Sequence, residues 1–150
     1  MKAQIETQII INSSKEEVWK VLTDFKSYPD WSPTIKEFEG IPQTGKRTKV
    51  LLSQPGGTSI KMNPIFLQIN KPKELRWKGK LGINGIFDGE HYFILKEISE
   101  NKVLFIQGEK FSGILVPFLR KMIEGNTSAG FTQFNDAIKK RVEEKLQVLV

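Results

Sequence analysis

The feature that most limits the fold is a long run of alternating residues, from Ile35 to about Lys110, cut at intervals by turn signals. Alternation sends successive side chains to opposite faces of a strand. The turn signals are "IPQTGK" (Ile41 to Lys46), "QPGGT" (Gln54 to Thr58), "NKPKE" (Asn70 to Glu74), "GING" (Gly82 to Gly85) and "SENK" (Ser99 to Lys102). They divide the run into six strands, at about 35–40, 46–53, 58–69, 74–81, 86–97 and 102–110. Strands joined by short turns pair with their neighbours, which predicts an antiparallel meander.

What flanks the run completes the plan. "QIETQIII" (Gln4 to Ile11) is β-branched and reads as a further strand, the seventh. Ser14 and Glu17 then form a capping box, and Val18, Val21, Leu22 and Phe25 recur at helical spacing. A second short helix is expected near Phe25 to Tyr28, followed by a Pro-flanked loop carrying Trp31. After Phe111 the chain reads as mostly helical, with Pro117 in the first turn, where its missing N–H costs little. Phe131, Phe134, Ile138 and Val142 keep one apolar stripe, and Gly125 and Gly130 are expected to break or kink the helix between them. The order is therefore β-α-α-β6-α, an α+β fold in one domain over residues 1–150. A long helix must bury its apolar stripe, and the concave face of a curved sheet is the available partner. Such an arrangement often leaves a hollow.

Composition excludes several chemistries. With 39% hydrophobic and 27% charged residues, the chain is a globular domain large enough for a sizeable core. There is no cysteine, which removes disulfides, thiolate nucleophiles and cysteine zinc sites and fits a cytoplasmic location. The single histidine, His91, rules out a histidine-rich metal site, and no metal or other cofactor is expected. No run approaches the length needed to cross a bilayer, and the N-terminus reads as a strand rather than a secretory leader, so stable membrane insertion is not expected. The net charge of +6 is spread over lysines that alternate with apolar residues, as in "RWKGKL" (Arg76 to Leu81). That spacing marks the wet face of a sheet, and nucleic acid is not expected as a partner. The glycines lie in strand turns and make no phosphate loop, and no nucleophile elbow is present.

The succession of segments resembles the SRPBCC (START-like, helix-grip) superfamily, and most of all its polyketide cyclase/dehydrase-type branch. The matching pieces are "SSKEEVWKVLTDFKSYPDWSP" (Ser13 to Pro33), "ELRWKGKL" (Glu74 to Leu81), "GIFDGEHYFIL" (Gly85 to Leu95), "GEKFSGILVPFL" (Gly108 to Leu119) and "GFTQFNDAIKKRVEE" (Gly130 to Glu144). The resemblance implies a helix-grip fold, a curved antiparallel seven-stranded sheet around a long C-terminal helix, with an internal cavity between them. It implies a small hydrophobic or amphipathic ligand of lipid, polyketide or aromatic type, and no shared catalytic triad. The chain is expected as a monomer or homodimer.

The lone histidine lies in "FDGEHYFIL" (Phe87 to Leu95). Phe87, Gly89, His91, Phe93 and Leu95 share the more apolar face, so His91 is expected to point inward and Glu90 outward. A turn centred on Glu100 pairs Leu95 with Phe105, Phe93 with Gln107 and His91 with Glu109. One centred on Asn84 pairs Leu81 with Phe87, Leu75 with Phe93 and Trp77 with His91. A slip of one residue would set apolar side chains against polar ones. The expected result is a row of Trp77, His91 and Glu109 on the cavity wall, with a hydrogen bond between histidine and carboxylate. Three readings stand side by side: a polar spot that orients a ligand, a self-satisfied structural pair, or a general base at His91. The candidate ligand contacts are Trp31, Trp77, His91, Phe93, Gln107, Glu109, Phe131 and Asn135. Enzymatic alternatives are a cyclase, dehydratase or hydrolase using His91; the non-enzymatic alternative is a partner-binding protein with a filled cavity. "FSGILVPFL" (Phe111 to Leu119) is strongly apolar and is read as a buried helix start, with a lid or a membrane-touching surface as the alternatives.

Overall fold

The computed structural model describes residues 2–56 and 59–149, and the side chains up to residue 145. Strand β1 (Lys2–Ile11) leads into helix α1 (Lys15–Leu22), a 3₁₀ turn (Phe25–Ser27) and helix α2 (Tyr28–Trp31). Seven strands follow: β2 (Ile35–Glu39), β3 (Lys49–Leu52), β4 (Ile60–Met62), β5 (Ile65–Asn70), β6 (Glu74–Lys80), β7 (Asp88–Ser99) and β8 (Lys102–Ser112). The chain closes with α3 (Val116–Met122), a π-helical turn (Ile123–Thr127) and α4 (Ser128–Leu149). No helix among the described residues is long and apolar enough to cross a membrane.

The α+β plan holds, with one strand more than expected. The strand expected at 58–69 is two, because Pro64 has no N–H to give a ladder and interrupts it. Its first position, Thr58, lies outside the described residues, as does Gly57 of the preceding turn. The division separates a five-stranded sheet, β1-β8-β7-β6-β5, from a three-stranded one, β2-β3-β4. The segment before β3 joins them: Gly45 N donates to Phe66 O at 2.9 Å, Phe66 N to Lys46 O at 3.2 Å, and Thr48 N to the Pro64 carbonyl at 2.9 Å. All pairings are antiparallel.

The register around His91 is the one read from the turns. Trp77 stands opposite His91 and Leu75 opposite Phe93. His91 stands opposite Glu109, Phe93 opposite Gln107, and Leu95 opposite Phe105. Leu81 N donates to Phe87 O at 2.9 Å, continuing the β6–β7 ladder.

Local chemistry sets the helices. Ser14 Oγ accepts the Glu17 N–H at 3.2 Å, the serine half of the capping box. Trp31 is the last residue of α2 rather than part of a loop, since Pro29 sits in that helix's first turn and starts it. Tyr28 is fully buried and donates its hydroxyl to the Leu22 carbonyl; burial, helped by Asp24, pushes that hydroxyl well above its usual range. Phe134, Ile138 and Val142 of α4 are buried against Phe93, Phe105 and Leu75 of the large sheet and Phe25 and Phe38 beyond. Gly125 falls in the π turn, so the helical path continues from α3 into α4 with one wider turn where a break or kink was expected. The start of α3 is only half-buried: Val116 packs on Phe111 and Ile123, whereas Ile114 and Phe118 are 63% and 81% exposed.

The outer face of the large sheet carries its own polar set. Tyr92 donates to Glu6 Oε2 at 2.5 Å and accepts from Gln4 at 2.8 Å, and Arg76 lies 4.9 Å from its ring centre. Burial, then the bond to Glu6, raises the Tyr92 hydroxyl above its usual range. Arg76 also binds Glu90 at 2.9 Å, so the glutamate beside His91 in sequence does face outward.

Candidate ligand-binding site

Inward side chains of β6, β7 and β8 form one wall of a cavity of about 230 Å³; the small sheet, α3, the π turn and the first residues of α4 form the rest. Trp77, His91, Gln107, Glu109 and Phe131, all expected from the sequence, line it. A larger hollow of about 800 Å³ lies outside, edged by Glu39, Arg47, Lys49, Lys61 and Lys80. It is the weaker candidate, because it is open and charged, whereas small-molecule sites are enclosed, apolar and aromatic with few polar groups.

His91 is 8% exposed and held between rings. Its imidazole stacks on Trp77 with centroids 4.9 Å apart and 17° between planes, and the centroids of Phe93 and Phe131 lie at 4.7 and 4.9 Å. Both ring nitrogens are engaged: Nδ1 lies 3.1 Å from Glu109 Oε1 and Nε2 lies 3.0 Å from Gln107 Oε1. Gln107 donates its amide to Asn135 Oδ1 at 2.8 Å and to the Phe131 carbonyl at 3.3 Å. Asn135 donates in turn to Thr7 Oγ1 at 2.8 Å, and Thr7 donates to the Gln107 carbonyl at 3.1 Å. The polar chain thus runs from β1 through α4 and β8 to the cavity, and it satisfies each buried amide it crosses.

Three of the eight expected contacts stand behind the wall. Phe93 is fully buried in the main core beneath His91. Asn135 is buried behind Gln107. Trp31 packs on Tyr28 and Phe134 with centroids at 5.1 and 5.2 Å, so it belongs to the core near α4 rather than to the cavity mouth.

Other lining residues were not singled out from the sequence: Met62 of β4, Leu119 and Met122 of α3, and Thr127 of the π turn. Met62 alternates with Ile60 in "IKM", which is the signal that was available. Thr127 had none, because the wide turn that aims it depends on how α3 packs. Its hydroxyl is buried and has no hydrogen-bond partner among the described residues. A buried unmatched hydroxyl is costly, so Thr127→Val is expected to raise the unfolding free energy of the ligand-free protein by about 1 kcal/mol. Urea titration of the two proteins checks this.

The sequence profile of the family described as "polyketide cyclase / dehydrase and lipid transport" matches residues 2–143. The chain belongs to this family. Solved structures agree on the fold, which is that of a START-like helix-grip domain. A norcoclaurine synthase of Thalictrum flavum, in complex with dopamine and hydroxybenzaldehyde, is 15% identical with a TM-score of 0.74, over 96% of this chain and 88% of that one. The Streptomyces aromatase/cyclase Zhui is 13% identical with a TM-score of 0.78, over 97% and 96%. A START superfamily protein of Mycobacterium smegmatis is 16% identical with a TM-score of 0.75, over 94% and 97%. No curated protein matches this START-like chain.

Proposed function

We propose that this protein binds a small hydrophobic or amphipathic molecule between the large sheet and α4. The observation that carries the reading is the partly open cavity of about 230 Å³, aromatic and aliphatic over most of its wall, with a fixed polar array on one side. Apolar burial at about 25 cal/mol per Å² supplies most of the affinity, and the polar array supplies orientation. The family's description and the small aromatic guests named for the norcoclaurine synthase complex point in the same direction.

An enzymatic reading with His91 as general base has less support. Both of its ring nitrogens are already engaged, so neither presents a free lone pair to a guest. A partner-binding protein with a filled interior is disfavoured by the hollow itself.

Native mass spectrometry of protein purified from its own cells tests the proposal. The expected result is a bound small molecule released on denaturation. Added back at about a hundredfold over its Kd, it stabilises the fold by about 2.7 kcal/mol and raises the melting temperature by roughly 5–10 °C. A protein that carries nothing, and whose melting no panel of one- and two-ring amphiphiles raises, would refute the assignment.

A further inference from the structure

We infer that the guest is electrically neutral, one or two rings in size, and carries an O–H or N–H donor directed at Oε2 of Glu109. This rests on the binding function proposed above and deepens it.

The direction of the hydrogen-bond chain fixes where protons sit. The Phe131 carbonyl only accepts, so the group of Gln107 that meets it is the amide nitrogen. Gln107 Oε1 then faces His91, and Nε2 of His91 must carry a hydrogen to meet it. The other ring nitrogen faces Glu109 Oε1 at 3.1 Å. With Nε2 protonated, a bare Nδ1 would set a lone pair against a carboxylate oxygen. One further proton therefore lies between Nδ1 and Oε1. It makes either an imidazolium beside a carboxylate or a neutral imidazole beside a carboxyl group. In both cases the pair has no net charge, and in both Oε2 accepts.

Glu109 Oε2 is left without a hydrogen bond among the described residues, on a side chain 16% exposed that lines the cavity. Gly89 makes room for it. A Cβ there would stand 2.0 Å from Oε2, so the carboxylate lies across β7 where any side chain would displace it. An acceptor held in this way over an apolar hollow calls for a donor from the guest.

The guest's charge follows. His91 and Glu109 are the titratable side chains among the described residues of the lining, and together they are neutral. A cation entering would be buried without a counter-charge, which costs far more than burying a hydroxyl that is hydrogen-bonded. Size follows from volume. A cavity of about 150 Å³ holds one benzene ring, and drug-sized guests take about 300 Å³ or more. The 230 Å³ here fits one or two rings.

Calorimetric titration with 2-naphthol, its donor-free analogue 2-methylnaphthalene, and 2-naphthylmethylammonium tests the inference on the wild-type protein and Glu109→Leu. Wild type is expected to bind 2-naphthol well above the ammonium. The affinity ratio of 2-naphthol to 2-methylnaphthalene is expected to fall about tenfold in Glu109→Leu. An unchanged ratio overturns the bond to Glu109. Tighter binding of the ammonium than of 2-naphthol to wild type overturns the neutral guest, and this arm needs no variant. Failure of all three probes to bind wild type overturns the size assigned to the guest, and a molecule co-purified with the protein would leave the binding function itself standing. Retained binding of 2-methylnaphthalene by the variant shows that its cavity is intact.

Discussion

Phe93→Ala is expected to lower the unfolding free energy by about 3–5 kcal/mol, the range for removing a buried phenylalanine and leaving its cavity. Phe93 is fully buried, and its ring centre lies 5.4 Å from Trp77, 5.7 Å from Phe105 and 5.6 Å from Phe134. It joins three strands of the large sheet to α4 at one point, so no single neighbour can move to fill the space. Domains of this kind hold only about 5–15 kcal/mol in total, so the loss is a large fraction. Urea unfolding reads it as a lower midpoint at unchanged slope. Ile98→Ala is the control, since Ile98 lies on the same strand but is 54% exposed; its change is expected within about 0.5 kcal/mol. The site feels Phe93 indirectly. The ring packs against His91 at 4.7 Å but does not line the cavity, so its loss loosens the imidazole without removing a guest contact.

The row Trp77, His91, Glu109 was legible in the sequence because two independent constraints agree on it. Alternation decides which side chains share a face, and a turn centre decides which numbers oppose each other. A wrong register would have put Gln107 opposite Tyr92 or Ile94 instead of Phe93. The third dimension was less legible. Phe93 and Asn135 were read as lining because one lies on an inward strand face and the other beside Phe134 on the long helix, and Trp31 because its Pro-flanked segment was read as a loop able to cover a cavity mouth; but an inward face has depth. The residues nearest α4 become core, and those toward the π turn become cavity wall. Thr127 was missed for the same reason: widening one helical turn redirects a side chain, and no local propensity marks it. Pro64 was the visible exception. Its missing N–H was there to be read as a break between β4 and β5, and the alternation around it hid that break.

Gln107→Leu is expected to cost about 2–5 kcal/mol, because it leaves two buried groups unmatched. Asn135 Oδ1 loses its donor and His91 Nε2 loses its acceptor, at about 1–3 kcal/mol each. The Thr7 hydroxyl keeps its acceptor, which is the backbone carbonyl of residue 107. Adding Asn135→Leu removes one of the unmatched groups, so the double variant is expected to be more stable than Gln107→Leu alone. Urea unfolding of wild type, both single variants and the double variant measures that coupling.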